Sequence, residues 1–185
     1  MGRALAAAAL ELGHEVVVVS GPVSVEYPAQ AELIPVVSTA DLLKACCETF
    51  PQCDGLIGAA APCDYRPVRV ETCKIKKTGE PLMLRLQETP DVVATLGAEK
   101  RPHQWIVGFA LETEDQRFRA LIKLEKKCCD LMVLNGLEAM NSQENRVEII
   151  DRGGRVVRVL QGSKEEVARG ILRVIDEQLG PKLHG

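Results

Sequence analysis

Short apolar runs, separated by stretches of helical pattern, restrict the fold more than any other feature of this chain. Glu15-Val16-Val17-Val18-Val19 is a continuous β-branched run, as expected of a strand buried on both faces of a parallel sheet. Gly55-Leu56-Ile57-Gly58-Ala59-Ala60-Ala61, Trp105-Ile106-Val107-Gly108-Phe109 and residues 131–134 read as further strands. Residues 33–37 form another, and Pro35 within it suits a sheet edge. Between the strands lie helices. Residues 4–12 are rich in Ala and Leu and stop at Gly13. Thr39 is placed to cap a helix over 40–50. Thr89-Pro90-Asp91 reads as a helix start with Pro90 at the first helical position. Residues 115–128 form a fourth helix. Ser163 and Glu166 make a capping box for a last one, apolar at Val167, Ile171, Val174 and Ile175.

This alternation predicts an α/β fold: a mostly parallel, Rossmann-like sheet flanked by helices. Ligands in such a sheet bind beyond the carboxyl ends of the strands, here after Val19, Ala61, Phe109 and Leu134. Two hairpins interrupt the alternation. One joins 147–150 to 156–160 through Arg152-Gly153-Gly154. The other is an excursion, 72–77 and 81–86, turning near Gly79. Residues 136–145 read as a polar loop, and the chain opens on a helix rather than a strand.

Composition excludes several classes. At 185 residues the chain is expected to form one domain over 1–185. No run approaches the ~18 apolar residues of a membrane span, and the N-terminus is weak as a signal peptide. A net charge of -3 and 3% aromatic residues argue against a general nucleic-acid or membrane-surface binder. The seven cysteines are odd in number and form no CxxC. They read as reduced thiols of a cytoplasmic protein, without a disulfide framework or a metal site. His14, His103 and His184 lack the spacing for metal or nucleophilic catalysis. GxSxG, P-loop and complete GxGxxG motifs are all missing from the sequence.

Four segments can carry chemistry, each with a plainer structural reading beside it. Gly58, Ala59 and Ala60 let a flat ligand approach the backbone, and Asp64 can accept from a ribose hydroxyl; equally, the small residues pack a helix and Asp64 makes a turn. Lys74 and Lys76 share one face of a strand and suit a polyphosphate, or simply a solvated edge. Pro90, Asp91, Val92 and Val93 open a helix whose first N–H groups attract anions, or merely cap it. Lys123 and Lys127, with Lys126 nearby, share a helix face, where the helix dipole alone would favour them. Together they describe a site for a nucleoside triphosphate or another phosphorylated acid.

The segments Ser20-Gly21-Pro22-Val23, Ala61-Pro62-Cys63-Asp64-Tyr65-Arg66-Pro67, Lys74-Ile75-Lys76-Lys77, Thr89-Pro90-Asp91-Val92-Val93 and Gly108-Phe109-Ala110-Leu111-Glu112-Thr113 occur in that order, followed by Lys123 to Asn135. The series resembles the phosphopantothenate–cysteine ligase (phosphopantothenoylcysteine synthetase) family of coenzyme A biosynthesis, over residues 1–178. The resemblance implies transfer of a nucleotidyl group from CTP, ahead of ATP, to the carboxylate of 4'-phosphopantothenate. The amino group of cysteine then attacks, and Mg²⁺ accompanies the triphosphate. It also implies roles. Lys74 stabilises the transferring phosphoryl group, and Lys123 and Lys127 bind the triphosphate. Gly58, Ala59 and Ala60 meet base or ribose, with Asp64, Pro90, Asp91, Val92 and Val93 lining the nucleotide and Phe109 packing on it. The loop 136–145, with Asn141-Ser142, acts as a lid. The excursion over 72–86 straps two subunits into a homodimer, and a phosphopantothenoylcysteine decarboxylase is the associated partner.

The family's opening strand, glycine-rich loop and Asn segment have no counterpart in this sequence, so the chain is expected to be truncated relative to the family pattern. Two alternatives stay open: an NAD(P)-binding Rossmann oxidoreductase, although Ser20 rather than an acidic residue ends the Val16–Val19 run, and a non-catalytic nucleotide-binding remnant.

Overall fold

The computed structural model describes residues 1–111, 115–135 and 145–180. Helix α1 (Gly2–Glu11) leads to β1 (Val17–Ser20) and β2 (Glu32–Pro35); α2 (Thr39–Thr49) and a 3-10 turn (Phe50–Gln52) precede β3 (Gly55–Gly58). The chain continues through β4 (Tyr65–Pro67), β5 (Leu86–Glu88), α3 (Val92–Glu99), β6 (Trp105–Leu111) and α4 (Gln116–Lys126). It ends with β7 (Leu131–Asn135), β8 (Asn145–Asp151), β9 (Val156–Gly162) and α5 (Lys164–Leu179).

Five strands form one mixed sheet in the order β3-β6-β7-β8-β9. β3, β6 and β7 are parallel, and the Arg152 hairpin adds β8 and β9 antiparallel. The α/β reading therefore holds. Strand alternation divides the core into two layers. Val107, Leu131, Val133, Val147 and Ile149 face α1 and α5, whereas Ile106, Ala110, Met132, Leu134 and Ile150 face α2, α3 and α4. Each fully buried Ile or Leu here contributes roughly 1.5–3 kcal/mol.

β1 and β2 make a separate parallel pair, and no ladder joins β1 to β3 among the described residues. The two strands nonetheless belong to one layer. Val16 and Ile57 both pack on the α1/α5 core, and Val19 and Leu56 both pack on the other. The carbonyls of Val16 and Ser20 accept from Glu32 and Val36. By alternation, Val17 and Val19 turn their peptide groups away from β2, toward the side of β3.

Local signals explain most boundaries. Gly13, at φ +86°, ends α1 in the left-handed turn that glycine adopts without strain. The Ser163–Glu166 capping box opens α5 as expected. Four expectations need correction. Ser38, not Thr39, caps α2, because Asp41 three residues on completes a capping box with it. Pro90 precedes helix α3, because Asp91 is the cap and a cap needs extended backbone. β3 ends at Gly58 rather than Ala61. Residues 72–77 and 81–86 are not paired strands; the excursion is tied only at its base, where β4 and β5 pair antiparallel.

Candidate functional site

The end of β3 meets the start of α3. A side chain on Gly58 would bring its Cβ within 2.9 Å of Val93 Cγ2, so glycine is what lets the helix start lie against the strand end. Asp91 Oδ1 accepts from the Ala94 N–H at 3.0 Å, and the Thr95 hydroxyl donates to the Asp91 carbonyl at 2.8 Å. Val92 is buried in the core, so only its main chain can face a ligand. The Thr89 N–H donates to the Asp64 carbonyl at 2.8 Å and its hydroxyl to that of Cys63, which pins Asp64 beside the start of α3. Gly58, Asp64 and residues 90–93 are thus brought together, with Ala60 exposed beside them.

Lys127 arrives by another route. α4 starts near the carboxyl end of β6 and runs back toward its amino end. There the Asp130 N–H donates to the Ile106 carbonyl, and the Asp130 carboxylate accepts from the Ile106 N–H. The backbone of this basic helix end therefore lies away from the carboxyl rim. Only the long side chain corrects the position: Lys127 Nζ reaches Asp91 Oδ2 at 3.1 Å. Burial opposes a charged Asp91. The Ala94 N–H and the Lys127 ammonium outweigh it and hold the carboxyl below its ordinary value. Lys123 lies one turn nearer the carboxyl rim, on the same helix face.

Other expected residues are not gathered. Phe109 and Ala59 pack on the α1/α5 side, whereas Gly58 and Val93 meet on the α3 side. A ligand touching both sets would lie across the strand ends. Lys74 is exposed on the excursion and makes no ion pair among the described residues. Glu112, Thr113 and residues 136–144 of the expected lid over 136–145 lie outside the described residues, and Asn145 already belongs to β8.

The family model of the DNA/pantothenate metabolism flavoprotein C-terminal domain matches residues 1–179. The chain belongs to this family. A cysteine/cysteine sulfinic acid decarboxylase from an unknown prokaryotic organism is 39% identical over 180 residues, 95% of this chain and 50% of that protein. The coenzyme A biosynthesis bifunctional protein CoaBC of Bacillus subtilis (strain 168) is also 39% identical, over 95% of this chain and 44% of its own length. The chain thus spans half or less of these relatives. The crystal structure of the C-terminal domain of CoaBC superposes with a TM-score of 0.80 at 32% identity, covering 96% of this chain and 83% of that one.

In this flavoprotein C-terminal domain, sequence reasoning missed the residues that fix Lys127. A Cβ on Gly97 would collide with the Lys127 carbonyl, so α3 and the end of α4 touch backbone to backbone. Lys100 Nζ donates to the Cys128 carbonyl at 2.8 Å and pairs with Asp130, which also holds Arg152 Nη2 at 2.6 Å. Cys128 sits at φ +51° within this clamp. The glycine inside a helix pattern was the one available signal.

Proposed function

We propose that this domain joins 4'-phosphopantothenate to cysteine through an acyl-nucleotide, using CTP in preference to ATP. Membership of the flavoprotein C-terminal family and likeness to proteins named for coenzyme A biosynthesis support the reading. The observation that carries it is the junction at Asp91: open main chain at Gly58 and Val93 beside a lysine ammonium held by a carboxylate. A triphosphate entering there would take Lys127 from Asp91 and meet the first N–H groups of α3. The substrate carboxylate attacks the α-phosphorus, and the bond to pyrophosphate breaks. The cysteine amine then attacks the carbonyl carbon, and the nucleoside monophosphate leaves with the bonding electrons. Chemistry of this kind is mainly positioning and charge neutralisation. Lys127 and Lys123 serve the phosphates, Lys74 the transferring group, and Asp64 the ribose.

Among the described residues, no cluster of three or more His, Cys, Asp or Glu could hold a metal ion. Mg²⁺ would come with the phosphates and keep much of its water, as it commonly does with nucleotides.

The excursion supports a homodimer. Val70 is 80% exposed and Met83 89%, and Ile75 and Leu82 join them on a segment that buries nothing of its own. A second copy covering it would let Lys74 serve a neighbouring site. A dimer-breaking change in 72–86 that left nucleotide binding intact would refute that arrangement. The ligation product suits a decarboxylase acting next, in the same cytoplasmic compartment.

The test is pyrophosphate release with phosphopantothenate plus CTP or ATP, on this chain and on one extended upstream. Release that requires phosphopantothenate and is faster with CTP supports the proposal. Tight NAD(P) binding with no response to either triphosphate overturns it.

A further inference from the structure

A second concavity lies on the same rim, away from Asp91. It is a shallow, open cleft of about 450 Å³ lined by Asp115, Arg117, Phe118 and Glu148. Asp115 stands at the start of α4, just past the carboxyl end of β6, and Glu148 pairs with Leu134 near the carboxyl end of β7. β3, β6 and β7 run parallel, so the cleft opens where the Gly58 end of β3 also opens.

Its chemistry differs from that of the Asp91 junction. Arg117 Nε donates to Glu148 Oε2 at 2.9 Å, and Arg146 Nη2 approaches Glu148 Oε1 at 3.5 Å. This leaves both terminal nitrogens of Arg117 for a second, fork-shaped contact. The Asp115 carboxylate makes no capping bond and has no partner among the described residues. Phe118 is 66% exposed and forms an apolar wall. Among the described residues the lining holds one guanidinium and two carboxylates, and Arg146 outside it shares Glu148. Such a set gives no net attraction to a phosphate, but it matches a small molecule carrying both signs. An unpaired carboxylate beside a guanidinium fork is complementary to an α-ammonium next to an α-carboxylate, with the aromatic ring to receive a short side chain.

We propose that this cleft binds a free α-amino acid: Arg117 takes its carboxylate, Asp115 its ammonium, and Phe118 packs on its side chain. The proposal rests on the ligase reading in one respect only, that cysteine is the amino acid the reaction consumes. A thiol on the ring of Phe118 would be a favourable sulfur–aromatic contact.

Saturation-transfer NMR tests binding without any turnover. L-cysteine, L-serine and cysteamine, which lacks the carboxylate, are each offered to the chain, to Arg117→Gln and to Arg117→Lys. The expected result is transfer to L-cysteine, weaker transfer to L-serine and little to cysteamine. Arg117→Gln should abolish the L-cysteine signal, with partial recovery in Arg117→Lys. In turnover by the upstream-extended chain, Arg117→Gln should raise the KM for cysteine roughly 10- to 100-fold, the scale of a lost charged hydrogen bond. Its KM for cysteamine and its pyrophosphate burst without amino acid should not change. Asp115→Asn should raise both amine KM values. Cysteine binding that survives Arg117→Gln, or equal binding of cysteamine, overturns the assignment. Cysteine binding lost in Arg117→Gln while no pyrophosphate is released with either triphosphate leaves the cleft in place and removes the ligase reading.

Discussion

The junction at Asp91 and the excursion over 68–85 are the two halves of the proposed nucleotide site, and they are built in opposite ways. At the junction, β3, α3 and the end of α4 are close enough for glycine to be required at Gly58 and Gly97. The Lys100–Asp130–Arg152 network closes it from below. The excursion has only the β4–β5 ladder at its base, and its apolar side chains point into solvent. One half is held by the chain's own packing, and the other presents apolar side chains that the described residues leave uncovered. A charge already at the junction has only to pass from carboxylate to phosphate, whereas a charge on an arm can follow the reaction.

Substitutions should separate the halves. Lys74→Gln, on the exposed arm, should lower kcat roughly 10²- to 10³-fold in the extended chain. The urea midpoint should not move; unchanged turnover would remove Lys74 from the mechanism. Gly97→Ala should act the other way, costing about 1–3 kcal/mol by forcing α3 off the Lys127 carbonyl, read as a lower urea midpoint. Asp91→Ala should cost about 1 kcal/mol through the lost cap, while Asp91→Asn, which can still cap, keeps most of it. The Asp91 carboxyl is held below its ordinary value. Its charge-dependent part of the stability is therefore present above the unfolded aspartate pKa of ~3.9 and is lost as pH falls through the folded value. Melting curves of wild type and Asp91→Asn should converge in acid. The smallest effect is chemical. Burial pushes the Cys46 and Cys129 thiols up to about 11, so iodoacetamide should label Cys63, Cys73 and Cys128 first, without loss of fold.

What could be read in advance follows the range of the forces involved. Trp105–Phe109 and the Ser163–Glu166 box are local patterns and lie where expected, whereas Val16–Val19 supplies its strand but is not buried on both faces, because β1 pairs only with β2 among the described residues and Val17 is exposed. The alternation over 72–77 misled because a strand's period is enforced by burial, and neither face of this segment is buried. Pro90 misled because two helix-start signals stood side by side, and Asp91 could form the capping bond. Asp91 and Lys127 were each legible as residue types. Their place in one site was expected; their direct ion pair was not, since it depends on a helix running away from the rim and a side chain reaching back. Gly97 against Lys127 is a contact between distant segments with no periodic trace.

The discontinuity between β1 and β3 has a dynamic consequence. The β1–β2 ribbon shares side-chain packing with the rest of the protein but no backbone ladder among the described residues. It can therefore breathe as a small cooperative unit of its own. Native-state hydrogen exchange should show the amides of Val18 and Ser20 opening at a much lower free energy than those of Val107 and Met132, which exchange only when the whole domain unfolds.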